Sequence, residues 1–119
     1  MTNATNPHEH LPLSSAVLHI LLALAEGEQH GYAIMQQTTT LSDGKLRLGP
    51  GTLYRSIKKL LTDGLIEEST QRPDPTLDDE RRRYYRLTPF GQQVLAIEIE
   101  RLSHLVSVAQ KRGFNGNPV

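Results

Sequence analysis

The sequence predicts a mainly α-helical chain with one small β-hairpin, in the order helix, helix, helix, hairpin, helix. Three observations carry that prediction. Apolar residues recur at helical spacing in four segments separated by Gly and Pro. Between Leu65 and Leu87 the pattern changes to two short strand-like runs around a Pro-containing, acidic stretch. Hydrophobic residues make up 37% of the chain with only two Phe and no Trp, so its core is built from Leu, Ile, Val and Ala, as in packed helices. At 119 residues there is room for one such core.

Residues 1–11 are polar and read as a disordered N-terminal arm. The first helix is expected from Leu13 to Glu26, with Ser14 or Ser15 as N-cap and Gly27 as stop. It is apolar around most of its girth, which requires burial on two sides. A second helix is expected from Gly31 to Leu41, weakened by the χ1-stiff run Thr38-Thr39-Thr40. Lys45 to Leu48 alternates polar and apolar residues, which suits a very short strand. Gly49-Pro50-Gly51 then opens a third helix reaching Asp63, with Pro50 at its start and Gly64 beyond its end. Leu65–Thr70 and Arg82–Leu87 read as the hairpin strands. Thr88-Pro89 provides N-cap and first position of a long last helix to Arg112, and residues 113–119 form a flexible tail.

The chain has no cysteine, which excludes disulfides, thiolate metal sites and a cysteine nucleophile. The N-terminus lacks the apolar core of a signal peptide, and the longest apolar stretch, Ile20 to Ala25, is far too short to span a bilayer. A cytoplasmic location without membrane contact is expected. The formal net charge is zero, so the placement of charge matters more than its sum.

Helix, helix, helix, hairpin is the order of a winged helix-turn-helix. The third helix is held outward to enter a major groove and the hairpin stands beside it as a wing. Its apolar positions Leu53, Ile57, Leu60 and Leu61 share one face, and Arg55, Lys59 and Thr62 lie opposite, flanked by Thr52 and Lys58. From Lys45 to Lys59 there are five bases and no acid; Arg81, Arg82, Arg83 and Arg86 form a second cluster on the hairpin. Candidate DNA contacts are therefore Thr52, Tyr54, Arg55, Lys58, Lys59, Arg81, Arg82 and Arg83. Arg55 suits a guanine edge, Lys58 and Lys59 suit phosphate or guanine, and Thr52 and Tyr54 suit backbone phosphate. A charged outer face is by default a solvated one. Two clusters in the two elements a winged helix presents to DNA outweigh that default, although Asp74, Asp78, Asp79 and Glu80 near the wing tip would repel phosphate.

No Ser/His/Asp arrangement, phosphate-cradling loop or paired carboxylates in an apolar setting points to catalysis. His8-Glu9-His10 could chelate a metal weakly, but it lies in the arm expected to be disordered, and no helical histidine pair spaced i, i+4 appears in the chain. No cofactor is expected. Two other classes keep the same architecture: a winged-helix protein-interaction module and a metal-responsive regulator.

In the last helix Leu95, Ile99, Leu102, Val106 and Ala109 are spaced 4, 3, 4 and 3, the seam of a coiled coil. With Val17, Leu18 and Leu21 of the first helix they form a candidate dimer interface. A two-fold axis would set two third helices about 34 Å apart, one turn of DNA.

His30-Gly31-Tyr32, Leu48-Gly49-Pro50-Gly51-Thr52-Leu53-Tyr54, Gly64-Leu65-Ile66 and Arg83-Tyr84-Tyr85-Arg86-Leu87-Thr88 with Gly91 resemble the PadR family of transcriptional regulators. The resemblance runs from about Leu13 to Arg112, and the single last helix is similar to the short subfamily. It implies a winged helix-turn-helix domain over residues 12–88 and a dimerisation helix over 89–112. It further implies a homodimeric repressor of palindromic operators, released in some members by a small aromatic or drug-like effector.

Overall fold

The computed structural model describes residues 6–69 and 83–115. They form helices α1 (Ser15–Leu24), α2 (Gly31–Leu41), α3 (Pro50–Thr62) and α4 (Pro89–Lys111), and strands β1 (Gln29–His30), β2 (Ile66–Glu68) and β3 (Tyr84–Leu87). The strands make an antiparallel sheet in the order β1-β3-β2. Glu67 faces Arg86, and His30 faces Tyr84.

Local chemistry sets the helix ends. Ser14 Oγ accepts the Val17 N–H at 3.2 Å and starts α1 one turn after Leu11-Pro12. Ser14 is extended, so Leu13 lies outside the helix, where its N–H bonds Glu98. α2 survives its threonine run: Thr38 and Thr39 hydroxyls donate to the Met35 carbonyl at 2.8 and 3.2 Å, so they bond along the helix rather than against it. Thr88 caps α4, accepting the Gly91 N–H at 2.9 Å while donating to the Gly64 carbonyl at 2.6 Å.

The core is one cluster. Ile20, Leu21, Ala23 and Leu24 of α1 meet Ile34 of α2, Leu53, Ile57 and Leu60 of α3, Leu65 and Ile66 at β2, Tyr85 of β3, and Val94 and Leu95 of α4. Each large aliphatic side chain so buried stabilises the fold by about 1.5–3 kcal/mol before entropy is counted. Gly91 lies at the closest approach of α4 to the sheet; a β-carbon there would fall on the Leu65 carbonyl oxygen.

Two expectations need correction. Lys45–Leu48 is not a strand, because Ser42 Oγ takes the Leu46 N–H at 2.8 Å and satisfies that backbone locally. The third strand is instead Gln29–His30, placed as Gln29 Nε2 donates to the Ala23 carbonyl at the end of α1. Nor is the second half of the N-terminal arm without structure. Pro7–His10 forms a 3-10 turn, with Asn6 as its cap, and His10 meets Phe90 of α4 edge-on at 5.4 Å.

Candidate nucleic-acid interface

α3 divides cleanly. Leu53, Ile57 and Leu60 are at most 3% exposed, and Thr52, Tyr54, Arg55, Lys58, Lys59 and Thr62 face outward. The Arg55 guanidinium donates to Thr52 Oγ1 at 3.3 Å, which lays it along the first turn of the helix. Lys58 makes no ion pair with a described residue. Lys59 pairs with Asp63 at 3.2 Å, an exposed contact that a phosphate can replace at little cost. From Lys45 to Thr62 no acidic residue interrupts the surface.

Tyr54 projects from the first turn of α3 toward the start of α2. Its hydroxyl stands 2.5 Å from where a Gly31 β-carbon would be, so the glycine of the His-Gly-Tyr block leaves room for the Tyr54 phenol. Tyr85 lies behind it in the core. Burial, with Glu68 and Tyr54 nearby, pushes the Tyr85 hydroxyl above its usual range and keeps it a donor.

One arginine of the hairpin is engaged within the sheet. Arg86 turns across the sheet and bonds Glu67 at 2.8 Å and Glu28 at 3.3 Å, its charge held by Glu67 first and Glu28 second. It joins all three strand regions and is not a free cation. Arg83 is exposed and lies 3.5 Å from Glu68. Arg81, Arg82 and the acidic residues Asp74, Asp78, Asp79 and Glu80 lie outside the described residues.

The candidate dimer residues separate into two sets. Leu21 is fully buried and Leu95 is 8% exposed, so both belong to the chain's own interior. Ile99 and Val106 are 42% and 55% exposed, and Val17, Leu18, Leu102 and Ala109 are half-buried. The reason is position along the helix: the buried residues of α4, Gly91, Val94, Leu95 and Glu98, all lie in its first half, and the turns beyond Glu98 bury none. Leu105, 50% exposed, extends the outward stripe. Beside it an open groove of about 1040 Å³ runs between α4 and the end of α1, with Leu24, Leu87, Ala96 and Ile99 in its wall.

Sequence reasoning overlooked Glu98. It is 1% exposed, accepts the Leu13 N–H at 2.8 Å and receives Arg101 through two nitrogens at 2.6 and 3.0 Å. Arg101 holds its carboxyl below the usual range despite burial, with help from Leu13. Only the Glu98–Arg101 spacing of three was readable in advance.

Among the described residues no three His, Asp or Glu side chains group as metal ligands, and no helix is long and apolar enough to cross a membrane. A family profile described as the transcriptional regulator PadR-like family matches residues 20–97. Transcriptional regulator Rv3488 of Mycobacterium tuberculosis is 40% identical over 88 residues, 74% of this chain and 76% of that protein. A transcriptional regulator from Clostridium thermocellum superposes with a TM-score of 0.64 at 27% identity, covering 81% of this chain and 87% of its own. A PadR family regulator from Clostridium difficile, at 21% identity, shares the fold with a TM-score of 0.65 over 82% of this chain and 97% of its own. These relatives are regulators, not enzymes, and the mainly helical architecture with a small sheet is theirs. The chain belongs to the PadR-like family of transcriptional regulators.

Proposed function

We propose that the chain is a homodimeric repressor that binds palindromic double-stranded DNA through α3 and is released by a small-molecule effector. The observation that carries this reading is the division of α3: three aliphatic side chains inward, Arg55, Lys58 and Lys59 outward, and no acid from Lys45 to Thr62. A basic ridge of one helix's width fits the major groove, where Arg55 near its start reads a base edge and the lysines bind phosphate. Thr52 and Tyr54 hold the backbone at the helix entry, and Arg83, with Arg81 and Arg82, serves the flanking strand. Dimerisation rests on the outward stripe of α4, Ile99, Leu102, Leu105, Val106 and Ala109, with Val17 and Leu18 of α1 beside it; Leu21 and Leu95 take no part. Repression and release by a small aromatic or drug-like effector follow the family resemblance. Selection of duplexes from a random pool tests the reading. Recovery of an inverted repeat with half-sites about one helical turn apart supports it, and recovery of no enriched sequence, at low salt, contradicts it.

A further inference from the structure

All four tyrosines of the chain meet at one corner, where α2 and α3 begin and β3 starts. Tyr54 lies on Gly31, Tyr85 sits behind Tyr54, and His30 contacts both Tyr32 and Tyr84. Tyr85 is core and Tyr54 belongs to the α3 interface. Tyr32 has neither role. It is 60% exposed, yet its ring is held, stacked within 15° of parallel on His30 at 6.5 Å. His30 is held in turn. Its Nδ1 accepts the Ala33 N–H at 3.2 Å, which places the proton of the neutral ring on Nε2, and its plane meets Tyr84 edge-on at 5.6 Å. An exposed phenol backed by a ring that is itself anchored loses less freedom on binding than an unsupported one. Its surroundings suit a polyanion: α2 carries no charged residue, the adjoining run from Lys45 to Thr62 carries only bases, and the nearby Glu68 is paired with Arg83 at 3.5 Å.

We infer that Tyr32 is a second DNA-backbone contact. Its hydroxyl donates to a phosphate oxygen of the strand flanking the groove that α3 enters, with His30 and Tyr84 as positioning residues. The inference rests on the DNA-binding reading above. The first helix of a helix-turn-helix crosses the backbone, and tyrosine hydroxyls are among its usual phosphate donors.

The test uses the full chain and two duplexes of equal length, one recovered from the random pool and one of unrelated sequence, titrated over a salt series. Tyr32→Phe keeps the stacked ring and removes only the donor. It is expected to weaken both duplexes alike, about tenfold, the usual scale of a hydrogen bond to a charged group. The salt slope stays unchanged because a neutral hydroxyl displaces no counterion, and the melting temperature is unchanged too. His30→Asn keeps a capping side chain but removes the ring, so it gives a smaller loss of the same kind. Wild-type affinity for Tyr32→Phe, with Arg55→Ala weakened in parallel, overturns the assignment while leaving the DNA reading intact. A loss confined to the recovered sequence also overturns it, because a phosphate carries no sequence. Failure of the wild type to bind either duplex overturns both.

Discussion

The hydroxyl of Tyr54 occupies the space that a side chain on Gly31 would need, 2.5 Å from the position of its β-carbon. This contact joins the start of α2 to the start of α3. A clash here involves the far end of a 43%-exposed side chain, so it is relieved by swinging the phenol away. Gly31→Ala is therefore expected to leave the melting temperature nearly unchanged, while weakening DNA binding severalfold by moving Tyr54. Equal affinity of Gly31→Ala and wild type, measured by fluorescence anisotropy on the recovered duplex, would remove Tyr54 from the interface.

Gly91 offers the contrasting case. Its missing β-carbon faces the backbone carbonyl of Leu65, which is fixed by the Thr88 N–H at 3.1 Å and cannot swing aside. Gly91→Ala is expected to lower stability by about 3 kcal/mol, the upper range of overpacking. Thr88→Ala, which removes the cap, costs about 1 kcal/mol. Urea unfolding monitored by circular dichroism ranks the two; the opposite order would place the critical contact at the cap rather than at the helix approach.

These elements differ in how far they can be read from sequence. α3 and α4 are legible because their signals are local: Pro50, Gly64 and Thr88-Pro89 act on backbone within a turn of themselves. The basic outer face of α3 is legible for the same reason, since one helix decides it. β1 is not, because two residues have no periodicity and Gln29-His30 becomes a strand only when β3 lies beside it. Lys45–Leu48 has the alternation of a strand, yet Ser42 captures its backbone first. Arg86 counts as a wing cation in the sequence and is neutralised first by Glu67 across the sheet and then by Glu28, 58 residues away. Leu95 reads as interface until the position of Leu65 fixes which side of α4 faces in.

Glu98 joins α4 to the residue preceding the α1 cap. Its carboxyl pKa is depressed in the folded chain, so its contribution is fully present above the unfolded carboxylate value of about 4.3. That contribution is lost as pH falls through the lower folded value. Glu98→Ala leaves the Leu13 N–H without its acceptor and is expected to cost about 2 kcal/mol at neutral pH. The difference between wild type and Glu98→Gln should shrink in unfolding curves as pH drops below that range. A difference that stays constant would show that the carboxylate's charge is irrelevant there.

The outward stripe of α4 predicts an association equilibrium that can be shifted without harming the fold. Val106, 55% exposed, touches little of its own chain. Val106→Asp is expected to convert the dimer to monomer in sedimentation velocity, with the far-ultraviolet spectrum retained. A dimer of unchanged affinity would move the interface off this face.

Salt dependence of DNA affinity tests the central claim, that the α3 face binds DNA through Arg55 and Lys58. Each phosphate neutralised contributes about 0.9 to the slope of log affinity against log salt. With Arg55 on a base edge and Lys58 on phosphate in each protomer of a dimer, the double replacement Arg55→Ala and Lys58→Ala weakens binding and flattens that slope by about 1.8. A flattening of about 3.6 indicates that Arg55 contacts phosphate as well. An unchanged slope with unchanged affinity would contradict the account and place the DNA elsewhere, or nowhere, on this protein.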